Sequence, residues 1–365
     1  MESQNPKRPG IALIAILAAS LAGLWSIDVF LARLESSELR GQARRYFEDG
    51  TRLLNAGQAS LALDPLRKAY ALDRANPAYA LRLADALVAS GKLDDAQRTL
   101  AEVLERSPND GETNLIEARL MSRNGKYEEA SAYYHRALYG SWASGAQARR
   151  IEVRLELAHM LAAHGSQKDL LAELLPLESD SAADLPIQQQ VARLYIVAGS
   201  PARAQSVYRN LIRDGAGTAE TYAGLGNAEL AMGDYRAAQV AFDDAMRHGA
   251  SADLKPRVEL ASEMASLDPT VRRLSSTEKF SRSLRILKAA RDALAACGGA
   301  TGGAEMVASA DKVLGQKSVR NVNNELAEER LSLAERLWTA RIEACGPSTS
   351  VQEEPLQLIM VKLAQ

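Results

Sequence analysis

The chain is predicted to be all-helical and built as an array of antiparallel helix pairs. Three observations predict this class. Of its 365 residues 47% are apolar but only 5% aromatic, and alanine and leucine carry most of the apolar side. Such a composition favours closely packed helices and leaves few strand formers. A chain of this length exceeds what one core ordinarily serves, so two or three domains or a repeat is expected. The third is the stretch YAGLGNAELAMGDYRAAQVAFDDAMRHGA at 222–250. It sets small residues at Gly226, Gly233, Ala238 and Ala245, rings at Tyr222 and Phe242, and nearly repeats itself elsewhere. Periodic small residues mark surfaces that approach closely.

From the N-terminus, a tail over 1–10 carries Lys7 and Arg8, and residues 11–33 form a nearly unbroken apolar run. As a helix, such a run reaches about 30 Å, the thickness of a bilayer's hydrocarbon layer. It is therefore expected to be a single transmembrane anchor, with Trp25 and Asp28 near the interface. A secretory signal cut near Ser20-Leu21-Ala22 is the competing reading, opposed by the apolar residues that continue to Leu31. Lys7 and Arg8 favour a cytoplasmic tail and a body on the periplasmic or extracytoplasmic side. Arg33, Arg40, Arg44 and Arg45 pull the other way.

Next comes a 34-residue period over 34–252. Counting from Ala219, positions 4, 7, 8, 15, 20, 24 and 27 hold Tyr222, Leu225, Gly226, Gly233, Ala238, Phe242 and Ala245. The frame begun at Pro77 gives Leu83, Ala84, Gly91, Ala96, Leu100 and Val103; begun at Gly111, Ala118, Gly125, Ala130, Tyr134 and Ala137. Ala43 and Leu185 open further copies. A worn copy begins at Ile151, with Leu170 where alanine is usual. The units fall near 43–76, 77–110, 111–144, 151–184, 185–218 and 219–252. The stretch 138–150, with Trp142, interrupts them after the third.

This pattern resembles the tetratricopeptide repeat family over roughly residues 43–252. The resemblance implies a right-handed solenoid of helix-turn-helix hairpins. Positions 8 and 20 would face each other between helices A and B, and the glycine at 15 would end helix A. It also implies a concave groove lined by positions 2, 5, 9, 12 and 13 of helix A. Here those positions include Arg44, Phe47, Asn55, Leu81, Asp85, Leu115, Arg119, Arg123, His159, Gln189, Arg193 and Asn227. The lysine and asparagine set with which some members hold a carboxylate terminus is absent, position 5 being Phe, Leu, Leu, Leu, Gln and Ala in turn. The mixed groove suits an amphipathic helix or an extended segment, though a merely solvated face is the plainer reading of the same residues.

Helices continue beyond the repeats, over 253–346. Ser275 with Glu278 three residues on starts one that ends near Cys297. Gly298 to Gly303 breaks the chain, and 304–314 reads as a short helix. Asn321 to Cys345 reads as a long one, with Leu326, Leu333, Leu337 and Ala340 inward. In the segment 347–365 a linker leads to Pro355, which opens a terminal amphipathic helix with Leu356, Ile359, Met360 and Leu363 on one stripe. These helices are expected to cap the array. Cys297 and Cys345, the only cysteines, each close a helix, and a disulfide or two buried thiols are both open.

No catalytic, metal or cofactor motif is found, and no cofactor or small-molecule substrate is expected. The four histidines lack metal spacing, and CGGATGG lacks the Gly-Lys-Ser/Thr ending of a phosphate loop. A net charge of -2 argues against nucleic acid. The expected function is that of a non-enzymatic, membrane-anchored scaffold or adaptor that binds protein partners, for assembly of membrane or envelope complexes. A permanent subunit of a larger membrane complex, or the accessory arm of a separate enzyme, are the alternatives.

Overall fold

The structure is a computed structural model that describes residues 9–297, 303–316, 322–348 and 353–364; the side chains of most residues before 37 are outside it. The tail 1–10, the glycine run 298–303 and residues 349–352 of the linker after Cys345 lie wholly or largely outside it. The described residues are helical throughout, and no strand forms among them. The chain divides into two compact units, Met1–His164 and Gly165–Gln365.

The first unit opens with helix α1 (Pro9–Asn55), whose last turns pair with α2 (Ala59–Leu72). Two more hairpins follow: α3 (Pro77–Ala89) with α4 (Leu93–Arg106), and α5 (Gly111–Arg123) with α6 (Tyr127–Leu138). Helix α7 (Ala146–His164) closes the unit against α6. Residues 11–33 lie within α1; among the described residues no helix is long and apolar enough to cross a membrane, and most side chains of that run are not among them.

In the second unit, α8 (Gln167–Asp180) packs on α9 (Leu185–Val197). Then α9 pairs with α10 (Pro201–Arg213), and α11 (Ala219–Ala231) with α12 (Tyr235–Arg247). A single 3-10 turn at Ala252–Leu254 leads to α13 (Lys255–Leu267), α14 (Ser276–Cys297), α15 (Gly303–Leu314), α16 (Asn324–Cys345) and α17 (Glu354–Leu363). Helix α13, unnamed in the sequence reading, lies against α12 and buries Leu260, Ala261 and Met264 as an added helix A would. Helix α16 begins after Asn323, whose side chain accepts from the Leu326 N–H.

Helices start at Pro77, Gly111, Leu185 and Ala219, where the 34-residue frame begins its units. The residue just before each one caps it. The side chains of Asn76, Asp110, Asp184 and Thr218 accept backbone N–H groups of the first turn. At position 15, Gly57, Gly91, Gly125, Gly199 and Gly233 are all left-handed, with φ between 70° and 75°. In each case the next N–H reaches back to a carbonyl five residues earlier, as from Lys92 to Leu87 at 2.8 Å and from Asp234 to Glu229 at 3.0 Å. Gly165, in the worn copy, is not among the left-handed glycines, and the division of the chain falls beside it.

Close approach works differently from the simplest reading of the repeat. Position 20 is fully buried throughout, as at Ala62, Ala96, Ala130, Ala204 and Ala238. The group that lies on position 8, however, comes from position 24. A Cβ added to Gly50 would stand 2.5 Å from Leu66, and one added to Gly226 would stand 2.6 Å from the Phe242 ring. The Tyr208 ring lies instead on Gly224 of the following hairpin. The insertion after α6 is packed in the same manner, since the Trp142 indole covers Gly111 and its Nε1–H donates to the Ala137 carbonyl at 3.0 Å.

Candidate functional site

Helix A supplies the candidate surface in both units. In the first, a recess of about 330 Å³ between α3 and α5 is lined by Asp85, Arg119 and Arg123 together with Leu54, Arg82 and Ile116. The Arg119 guanidinium donates to both oxygens of Glu156 on α7, at 2.9 Å from Nε and 2.5 Å from Nη2. That two-point contact fixes the plane of the guanidinium. Asp85 stands 3.5 Å from Arg82, and burial raises its carboxyl pKa against the opposing pull of Arg82 and Arg119. Arg123 is exposed and makes no ion pair among the described residues. Burial pushes the neighbouring Tyr134 hydroxyl up to about 12, so it stays protonated and neutral.

The other residues expected on this face are scattered. Phe47 packs against the ring of Tyr79 at 4.9 Å, while Leu81 is half-buried and Asn55 and His159 are exposed. Arg44 is outside the recess and pairs with Glu48 one turn on, at 2.8 Å. Leu115 departs from expectation. Only 1% exposed, it belongs to the core, because α5 is covered on nearly every side from Gly111 to Met121.

In the second unit, Arg193 and Asn227 line a recess of about 460 Å³ with Ile196, Val197, Leu230 and, from the terminal helix α17, Leu358. Arg193 donates to Glu220 at 2.6 Å, and Gln189 donates to the Thr221 hydroxyl at 3.1 Å. Sequence reasoning expected α17 among the helices that cap the array, but not as part of this recess. Its apolar stripe announced that the helix is covered, but periodicity alone does not say by what. Leu356, Ile359 and Met360 join one core with Leu230, Phe242, Leu287 and Leu337. Polar contacts fix the docking: the Tyr235 hydroxyl donates to the Leu358 carbonyl at 3.2 Å, and Lys362 reaches the Gly233 carbonyl and Asp268 Oδ2, each at 2.6 Å.

At the far end of α14 and α16, Cys297 and Cys345 are joined by a disulfide with their Cα atoms 6.2 Å apart. Among the described residues no group of three or more histidine, cysteine, aspartate or glutamate side chains is placed to hold a metal. Both recesses thus combine apolar side chains with a guanidinium held by a carboxylate two helices further on, an arrangement suited to docking a chain segment.

Residues 53–120 match the family model described as tetratricopeptide repeat. No curated protein matches the chain. Similar solved structures include PilW, a type IV pilus biogenesis factor, at 18% identity over 58% of this chain and 96% of that one, with a TM-score of 0.42. A tetratricopeptide repeat protein of Parabacteroides merdae matches at 19% identity, over 61% of this chain and 99% of the other, with a TM-score of 0.29. A thermophilic protein of Thermus thermophilus matches at 16% identity, over 60% and 99%, with a TM-score of 0.24.

Proposed function

We propose that this chain, which carries tetratricopeptide repeats, is a membrane-anchored scaffold or adaptor that receives protein partners on the helix A faces of its right-handed repeat array. Its place is in the assembly of membrane or envelope complexes. The observation that carries the reading is the state of the groove arginines. Arg119 and Arg193 are pinned by Glu156 and Glu220 beside open recesses, while exposed Arg123, within electrostatic reach of Asp85, makes no ion pair among the described residues and can meet a carboxylate. Preformed donors lose little side-chain entropy when a partner docks.

The anchor is the apolar run 11–33, and the body faces the extracytoplasmic side. Lys7 and Arg8 support that orientation, and so does a disulfide between Cys297 and Cys345, since such bonds persist in oxidising compartments.

Retention of partners by the full-length chain in mild detergent, compared with its Arg123→Glu variant, tests the reading. Partners bound through the groove should be lost from the variant and released by high salt. A partner held at constant stoichiometry by both proteins in both salts would make the chain a permanent structural subunit instead.

A further inference from the structure

Another recess lies away from the groove. It measures about 750 Å³ and sits in the second unit, between the start of α12, the end of α13 and the loop that joins α13 to α14. Four cations line it, Arg236, Arg272, Arg282 and Lys362, against two carboxylates, Asp234 and Asp268. In a chain whose net charge is -2 this is a local reversal of sign.

Both carboxylates are already used. Asp234 caps α12, accepting the Ala237 N–H at 3.1 Å. Asp268 accepts the Thr270 N–H at 2.9 Å and hydroxyl at 2.7 Å on one oxygen, and Lys362 at 2.6 Å on the other. Arg282 is spent on the frame, donating from Nη1 to the carbonyls of Ala265 and Asp268 at the end of α13. Two cations therefore remain: Arg236 and Arg272 are exposed and make no ion pair among the described residues.

The wall that carries Arg272 is well fixed. Arg273 beside it is left-handed, φ 66°, the one such non-glycine among the described residues. That conformation is disfavoured for a residue other than glycine. The Asp268 turn and the Arg282 contacts tie down the start of the same loop. Exposed Met232 and Val271 supply apolar surface in the same recess.

We infer that this recess is a second docking site, which takes an acidic segment of a protein partner. Two carboxylates of the segment meet Arg236 and Arg272, and an apolar side chain between them covers Met232 and Val271. An extended acidic peptide can meet both unpaired cations and still cover the exposed apolar side chains of the same recess. A single small anion would leave those side chains uncovered.

The test uses the full-length chain in detergent and two labelled peptides, Glu-Leu-Glu-Glu-Leu-Glu and its counterpart with every Glu replaced by Gln, read by fluorescence anisotropy. The acidic peptide should bind at least about tenfold more tightly than the neutral one, and raising ionic strength from about 0.05 to 0.5 M should weaken it. The double variant Arg236→Glu, Arg272→Glu should lose that preference while keeping the wild-type melting profile, because both side chains are exposed. Equal binding of the two peptides, or a preference that survives the double variant, overturns the proposal. So does displacement by inorganic phosphate that sodium chloride at the same ionic strength does not reproduce, which would make the recess a small-anion site.

Discussion

Two equally buried carboxylates, one in the repeat hairpins and one in the helices that follow them, are treated differently. In α5 of the third repeat, Glu117 is 2% exposed and its Oε2 has no hydrogen-bond partner. In the C-terminal helices, Asp268 is 3% exposed and is held by Thr270 and Lys362. The repeat is specified by the size of its residues at fixed positions, and it carries an unmatched polar group at a cost. The C-terminal region has no such frame to set its register and is located by polar ties between residues far apart in sequence. Pairing is not confined to that region, since Glu229 of the last repeat is 2% exposed and accepts from Gln205 and Arg209; what the repeats have and the C-terminal helices lack is the spacing.

The largest expected effect removes the space-filler of the repeat. Phe242→Ala should leave a cavity over Gly226 and cost about 3–5 kcal/mol in denaturant unfolding. A loss under 1 kcal/mol would mean that the ring does not carry the seam. On the other side, Lys362→Met keeps the aliphatic stem but leaves the Asp268 carboxylate without its cation, at a cost of about 2–3 kcal/mol. Adding Asp268→Asn should recover part of that loss, and a strictly additive double variant would show that the tie does not locate α17.

A smaller effect concerns Glu117. Burial raises its carboxyl from 4.5 to about 7, with Lys126 opposing the shift. The folded chain therefore binds a proton that the unfolded chain has lost, so this group's contribution to stability is full below about pH 4.5 and disappears as pH rises through about 7. Glu117→Gln should flatten that slope and stabilise the first unit by about 2 kcal/mol at pH 8. Parallel stability curves for the two proteins between pH 5 and 8 would refute the assignment.

The same contrast explains what could be read in advance. Helix starts at Pro77, Gly111, Leu185 and Ala219, and the left-handed glycines that end each helix A, follow from spacings of a few residues, which a sequence displays directly. Four caps, Asn76, Asp110, Asp184 and Thr218, stood in plain view one residue before each unit and carry the same kind of local signal. The burial of Leu115 was not legible, because it depends on how many neighbours cover α5, which no periodicity of α5 encodes. Nor was the seat of α17, since Lys362 and Asp268 lie 94 residues apart and nothing in either neighbourhood names the other. For the candidate surface, Arg119 and Arg193 could be placed on helix A, but the carboxylates that pin them belong to other helices.

Helix α1 runs from Pro9 to Asn55 as 47 residues without a break, so the last turns that form the first repeat are continuous with the apolar N-terminal run. A helix transmits torsion as well as distance, about 100° and 1.5 Å for every residue. Whatever grips residues 11–33 therefore sets the compass bearing of the first hairpin, and one residue added or lost between them would swing that hairpin by more than a quarter turn. The length of this shaft is a parameter of aim.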